Sequence, residues 1–100
     1  MTTTDTDKII QTAAEEYRIN PKAIFSKLKL RDVAEARQMC MLIMNRKGYT
    51  TRFISNRLGR STDTVLYGIQ HIKDLISVDK CVKGRFETIN KKLEYELTRK

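Results

Sequence analysis

The sequence predicts an all-α domain, a compact bundle of five to six helices that contains a helix-turn-helix. Three observations point there. Apolar residues recur at i, i+3, i+4 and i+7 through several long stretches, the signature of helices with one buried face. Glycine (4) and proline (1) are scarce, and Pro21, Gly48 and Gly59 fall where that periodicity breaks. Finally, "LGRSTDTVLYGIQHI", residues 58–72, places a glycine and a cluster of small polar residues directly before a new helical run. A chain of 100 residues makes one domain, burying roughly 60–70% of its unfolded surface.

The elements follow in order. Residues 1–6, rich in threonine, are expected to form a disordered tail, and residues 7–98 the single helical domain. Asp7 is suited to cap a first helix over about 8–17, with Ile9, Ile10, Ala13, Ala14 and Tyr17 on one side. "RINPKAIF" interrupts it. There Asn20 and Pro21 read as the cap and first position of a short second helix through about Phe25 or Lys27, with Ile24 and Phe25 facing inward. In the connector "SKLKLR", period-two alternation sends Leu28 and Leu30 to the core and Lys27, Lys29 and Arg31 to one solvent side. Asp32 is the expected cap of a third helix to about Lys47, striped by Val33, Ala36, Cys40, Ile43 and Met44 and stopped by Gly48.

"YTTRFISNRLG" reads as a short fourth helix capped by Thr50 or Thr51, with Phe53, Ile54 and Leu58 inward and Gly59 at its end. Only about three residues separate it from a helix over Thr62 to Val78, whose inner face carries Val65, Leu66, Ile69, Ile72 and Leu75 or Ile76. Two helices joined by so short a turn cross steeply, which is the helix-turn-helix arrangement. Asp79 caps a last helix with Val82, Phe86, Ile89, Leu93 and Leu97 at i+3 and i+4 spacing.

The formal charge is +8, and residues 21–60 alone carry it: Lys22, Lys27, Lys29, Arg31, Arg37, Arg46, Lys47, Arg52, Arg57 and Arg60 stand against Asp32 and Glu35. Such a balance fits a polyanionic partner. Cys40 and Cys81 are widely spaced and His71 is the lone histidine, so no metal site is expected; Cys40, within "MCMLIM", reads as a small buried hydrophobe. No apolar run is long enough for a membrane span, and no signal peptide is legible. Neither a phosphate-binding glycine loop, a paired-histidine motif nor a nucleophile elbow occurs, so neither catalysis, a cofactor nor a small-molecule substrate is expected. A reducing, cytoplasmic setting fits two cysteines so widely separated.

Within this frame Ser61, Thr62, Asp63 and Thr64 have two readings. Ser61 or Thr62 is a good N-cap, and Asp63 suits a first turn. Equally, in a helix-turn-helix the start of the second helix enters the DNA major groove, where hydroxyls bond either base type, a threonine methyl meets thymine, and a carboxylate accepts from cytosine. The cations of residues 21–60 favour the second reading. Lys27, Lys29 and Arg31 are then placed to follow the phosphates or enter an A·T-rich minor groove. Arg37, Gln38, Arg46, Thr51, Arg52, Arg60 and Tyr67 complete the expected phosphate contacts, with half-burial the other reading of Tyr67.

"VAEARQMCMLIM" and "TTRFISNRLGRSTDTVLYGIQHI" resemble, in order and spacing, the DNA-binding domain of the bacterial replication initiator DnaA, over about residues 8–97. The Trp repressor has a related helical arrangement. The resemblance implies an all-α bundle around a helix-turn-helix, with Lys29 at the minor-groove arginine and Lys27 and Arg31 in the same basic loop. It implies backbone contacts for Arg37, Gln38, Thr51 and Arg52, and base reading for Ser61, Thr62 and Asp63; Thr64 matches the family's second threonine. Ser-Thr-Asp stands where the family has Asp-His-Thr, and Tyr67 replaces a histidine. The expected partner is double-stranded DNA, in replication control, transcription or mobile-element biology; membrane binding is not expected, and a homodimer or protein partner is left open. The alternative is an adaptor that keeps the scaffold without base readout.

Overall fold

The computed structural model describes the backbone of residues 3–98 and the side chains of residues 5–94. Among the described residues there are six helices and no strand: α1 (Thr3–Tyr17), α2 (Pro21–Phe25), α3 (Arg31–Arg46), α4 (Thr51–Leu58), α5 (Thr62–Val78) and α6 (Lys80–Thr98). The all-α class and the helix-turn-helix are as the periodicity predicts.

Helix α3 is the axis of the bundle. From Met39 to Met44 every side chain is buried, so the helix is covered all round rather than along one stripe. α1, α2, α4 and α5 pack against it, and α6 closes over α1 and α5. Gly68 of α5 lies where that helix packs closely on α3: a Cβ added there would stand 2.6 Å from Met41 Sδ and 3.3 Å from Gln38 Cγ.

Several helix ends are written in the local sequence. The Asn20 side chain accepts from the Lys22 amide at 2.9 Å, Thr50 Oγ1 accepts from the Phe53 amide at 3.0 Å, and Asp79 Oδ1 accepts from the Cys81 and Val82 amides at 2.9 and 3.2 Å. Gly48 and Gly59 take positive φ values of 100° and 68°, where a side chain is strained.

Four expectations need correction. α1 begins at Thr3, not after Asp7, and Thr6 is fully buried, so residues 3–6 are not a disordered tail; residues 1 and 2 lie outside the described residues. α3 is capped at Leu30 without a side-chain bond, Asp32 being inside its first turn. Leu28 (49% exposed), Leu30 (64%) and Leu66 (55%) face solvent instead of the core. Phe25 is partly exposed, with the Arg57 guanidinium 5.3 Å from its ring centroid. Leu97 of the α6 stripe lies outside the described side chains.

Two measurements check the packing. Gly68→Ala gains helix propensity of up to about 1 kcal/mol but overpacks the α3–α5 crossing by about 1–3 kcal/mol, so urea unfolding should show a net loss. Burial pushes the Cys40 thiol up to about 12 from 9.0, so thiol titration of the native chain should find Cys81, which is exposed, and miss Cys40. Because the unfolded thiol ionises first, Cys40 contributes stability below pH 9 that is lost as pH rises towards 12, at about 1.4 kcal/mol per pH unit. Cys40→Ala should remove that part of the alkaline slope.

Candidate nucleic-acid interface

The tip of α5 is built by the turn before it. Gly59 ends α4 in the left-handed region, which lets the Arg60 amide reach the Ser55 carbonyl at 3.0 Å, while the buried Ser55 hydroxyl donates to the Arg60 carbonyl. Ser61 then caps α5: its Oγ accepts from the Thr64 amide at 3.2 Å and lies 2.9 Å from Thr64 Oγ1. The capping reading therefore holds at Ser61, with Ser61 and Thr64 bonded to each other. Thr62 and Asp63 are exposed, and the helix geometry leaves their amides facing outward beside the positive end of the dipole.

One turn further, Leu66 and Tyr67 stand on the exposed side of α5. Tyr67 is 66% exposed and stacks on His71, with ring centroids 5.5 Å apart, which settles its burial. Leu66 is a surface residue that helical periodicity assigned to the core. Its spacing of i+4 from Thr62 and i+3 from Asp63 is the signal that sets it on their face.

The basic connector is held from behind. Arg37 is buried at 8% exposure; its Nε donates to the Ile24 carbonyl at 2.8 Å, and its Nη2 donates to those of Ser26 at 2.8 Å and Leu28 at 3.3 Å. Arg60 Nη2 donates to the same Ser26 carbonyl. Burial, and then the nearby charge of Arg60, hold the Arg37 pKa below its ordinary value. Within the connector, Ser26 Oγ donates to the Ala23 carbonyl at 2.6 Å and accepts from the Leu28 amide at 3.2 Å. Lys27 and Lys29 project from this braced loop, exposed, and among the described residues no carboxylate pairs with them.

The expected contact residues divide accordingly. Lys27, Lys29, Arg60 and the 61–64 tip are brought together through Ser26. Arg37, expected on a phosphate, has its Nε and Nη2 committed to backbone carbonyls instead. Arg31 leaves the group: it pairs with Glu35 at 2.9 Å and approaches Asp79 at 4.0 Å. Asp79 closes the far end of the 17-residue α5, about 25 Å from the tip at 1.5 Å per residue. Arg46 lies over the Phe86 ring of α6, 5.3 Å from its centroid. Gln38 is half-buried against Gly68, Thr51 is half-buried at the start of α4, and Arg52 is exposed.

Helices of this length around a three-residue turn, with an exposed polar tip on the second, define a helix-turn-helix protein. The family model described as the bacterial DnaA protein helix-turn-helix matches residues 6–72, and the chain belongs to that family. It is similar to the chromosomal replication initiator protein DnaA of Jannaschia sp. (strain CCS1), 32% identical over 92 residues that cover 88% of this chain and 19% of that protein. The corresponding protein of Flavobacterium psychrophilum is 31% identical over 91 residues, covering 87% and 19%. The chain thus spans about a fifth of the length of these relatives.

The Arg37 brace has a measurable consequence. Arg37→Ala leaves the Ile24 and Leu28 carbonyls without their side-chain donor, Arg60 still reaching Ser26, and should cost about 2–3 kcal/mol in denaturant unfolding. Arg37→Lys should recover only part, since one ammonium cannot reproduce the forked geometry.

Proposed function

We propose that this chain binds double-stranded DNA sequence-specifically, α5 entering the major groove by its tip and the Lys27–Lys29 loop lying along the adjacent minor groove. The observation that carries this reading is the exposed tip of Thr62 and Asp63 tied, through Arg60 and Ser26, to a loop whose lysines lack partners within the described chain.

In this reading Thr62 bonds a base edge, Asp63 accepts from a cytosine amino group, and the Thr64 methyl meets a thymine methyl, with Ser61 chiefly shaping the tip. Lys29 takes the minor-groove position and Lys27, Thr51, Arg52 and Tyr67 hold phosphates. Asp63 stands where the family sequence has threonine, so the preferred site differs from the initiator's own at the base pair below it. The family and the relatives support a role as a DNA-binding module in replication initiation or its control.

Duplex binding measured against salt tests the proposal. With about five phosphates neutralised, the log-log slope should be roughly −4 to −5. Lys29→Ala should weaken binding to all sites, most where the flanks are A·T-rich. Asp63→Ala should lower the preference for the best site by about 1–3 kcal/mol at one base pair while leaving non-specific affinity unchanged or higher. No binding to any duplex at low salt would sink the proposal in favour of a protein-docking role.

A further inference from the structure

The Ser26 carbonyl receives two guanidinium groups from different elements. Arg37 reaches it from α3 at 2.8 Å, and Arg60 reaches it from the turn that launches α5. One backbone oxygen thereby joins the start of the basic loop to the start of the recognition helix. No carboxylate stands among the hydrogen-bond or ion-pair partners of either arginine within the described residues. Charge neutralisation therefore does not explain the convergence, but geometry does. A guanidinium is a flat fork that donates along fixed directions, and two of them around one carbonyl fix its position from both sides.

We propose that Arg60 is a positioning residue that sets the register between the two DNA-reading elements, holding the Lys27–Lys29 loop at a fixed offset from the Thr62–Asp63 tip. This rests on the DNA-binding reading and adds to it a mechanical link between minor-groove and major-groove contacts. Arg60 suits the role because its own backbone is locked. Its amide and carbonyl are both bonded to Ser55, so its side chain transmits the placement of the turn instead of trailing from it. Arg37 supplies the opposite half of the clasp from the buried core helix. With Arg60 removed, Arg37 still supports the loop, but its offset from α5 is no longer specified.

The test uses Arg60→Ala and, beside it, Arg60→Gln, whose shorter side chain does not span to Ser26; both are first checked for native helicity by circular dichroism. In the free protein, cleavage after Lys27 and Lys29 by a lysine-specific protease should accelerate by about fivefold or more, as expected when a charge-assisted hydrogen bond bracing the loop is lost. Cleavage after Lys80 and Lys83 should be unchanged. With DNA, affinities are compared for one core site flanked by A·T-rich or by G·C-rich duplex. Wild-type protein should favour the A·T-rich flank, and the variants should lose most of that ratio. Unchanged loop cleavage would overturn the clasp. Equal weakening on both flanks with the ratio preserved would make Arg60 a simple phosphate contact and overturn the registering role. Absence of wild-type binding to either duplex would reject the DNA-binding reading itself, and the registering role with it, an outcome distinct from the other two.

Discussion

The buried guanidinium of Arg37 is the constraint on which the candidate interface depends. A cation taken out of water is unfavourable unless dipoles replace its hydration, and here the dipoles are the carbonyls of Ile24, Ser26 and Leu28. Those three carbonyls belong to the end of α2 and the connector after it, a stretch with no helical partner for them. One side chain from the core thus satisfies backbone that would otherwise float, and in doing so gives a five-residue connector a single shape. Everything the connector displays, from Lys27 to the exposed leucines, is displayed because of that grip.

Much of the scaffold is legible in the sequence because local chemistry decides it. Asn20, Thr50, Ser61 and Asp79 are capping residues at the expected ends, and Gly59 is the residue a left-handed helix terminus needs. The misreadings come where a local rule met a tertiary fact. Alternation in "KLKLR" predicts buried leucines only if the stretch lies flat on a core, and the Arg37 grip lifts it off, leaving Leu28 and Leu30 outside. Leu66 fits the apolar period of α5, yet it is the exposed side of the helix that it completes. The early start of α1 follows from Thr6, whose burial next to α4 is invisible to capping rules: the Arg57 Nε donates to its hydroxyl at 3.0 Å.

The charge pattern shows the same division between what composition reveals and what packing decides. In residues 21–60 the arginines are largely engaged: Arg31 with Glu35, Arg37 with carbonyls, Arg46 over Phe86, Arg57 with Asp7 and Phe25, Arg60 with Ser26. Lys27 and Lys29 are the exposed remainder of the connector. The split has a physical basis, since a guanidinium is weakly hydrated, flat and multiply donating, whereas an ammonium keeps its water and remains a mobile point charge. A net charge of +8 therefore overstates the cationic face, since most arginines of this segment are engaged within the fold and Arg52 is the exposed exception.

Asp63 is the feature this arrangement must accommodate. An exposed carboxylate in the first turn of α5 is favoured by the helix dipole, but on the proposed DNA-binding surface it would repel the phosphates common to every duplex. It is tolerable there only if it faces base edges, where a cytosine amino group can meet it and where a wrong base leaves it desolvated and unpaired. Such a residue works by weakening unwanted complexes as much as by strengthening the right one. That requires the tip to approach the groove at a fixed offset from the backbone contacts, because a tip free to shift would place the carboxylate beside a phosphate. On the proposed DNA-binding reading, the need for a registered loop and an acidic residue at the tip are thus two sides of one design, and the Ser26 carbonyl is where they meet.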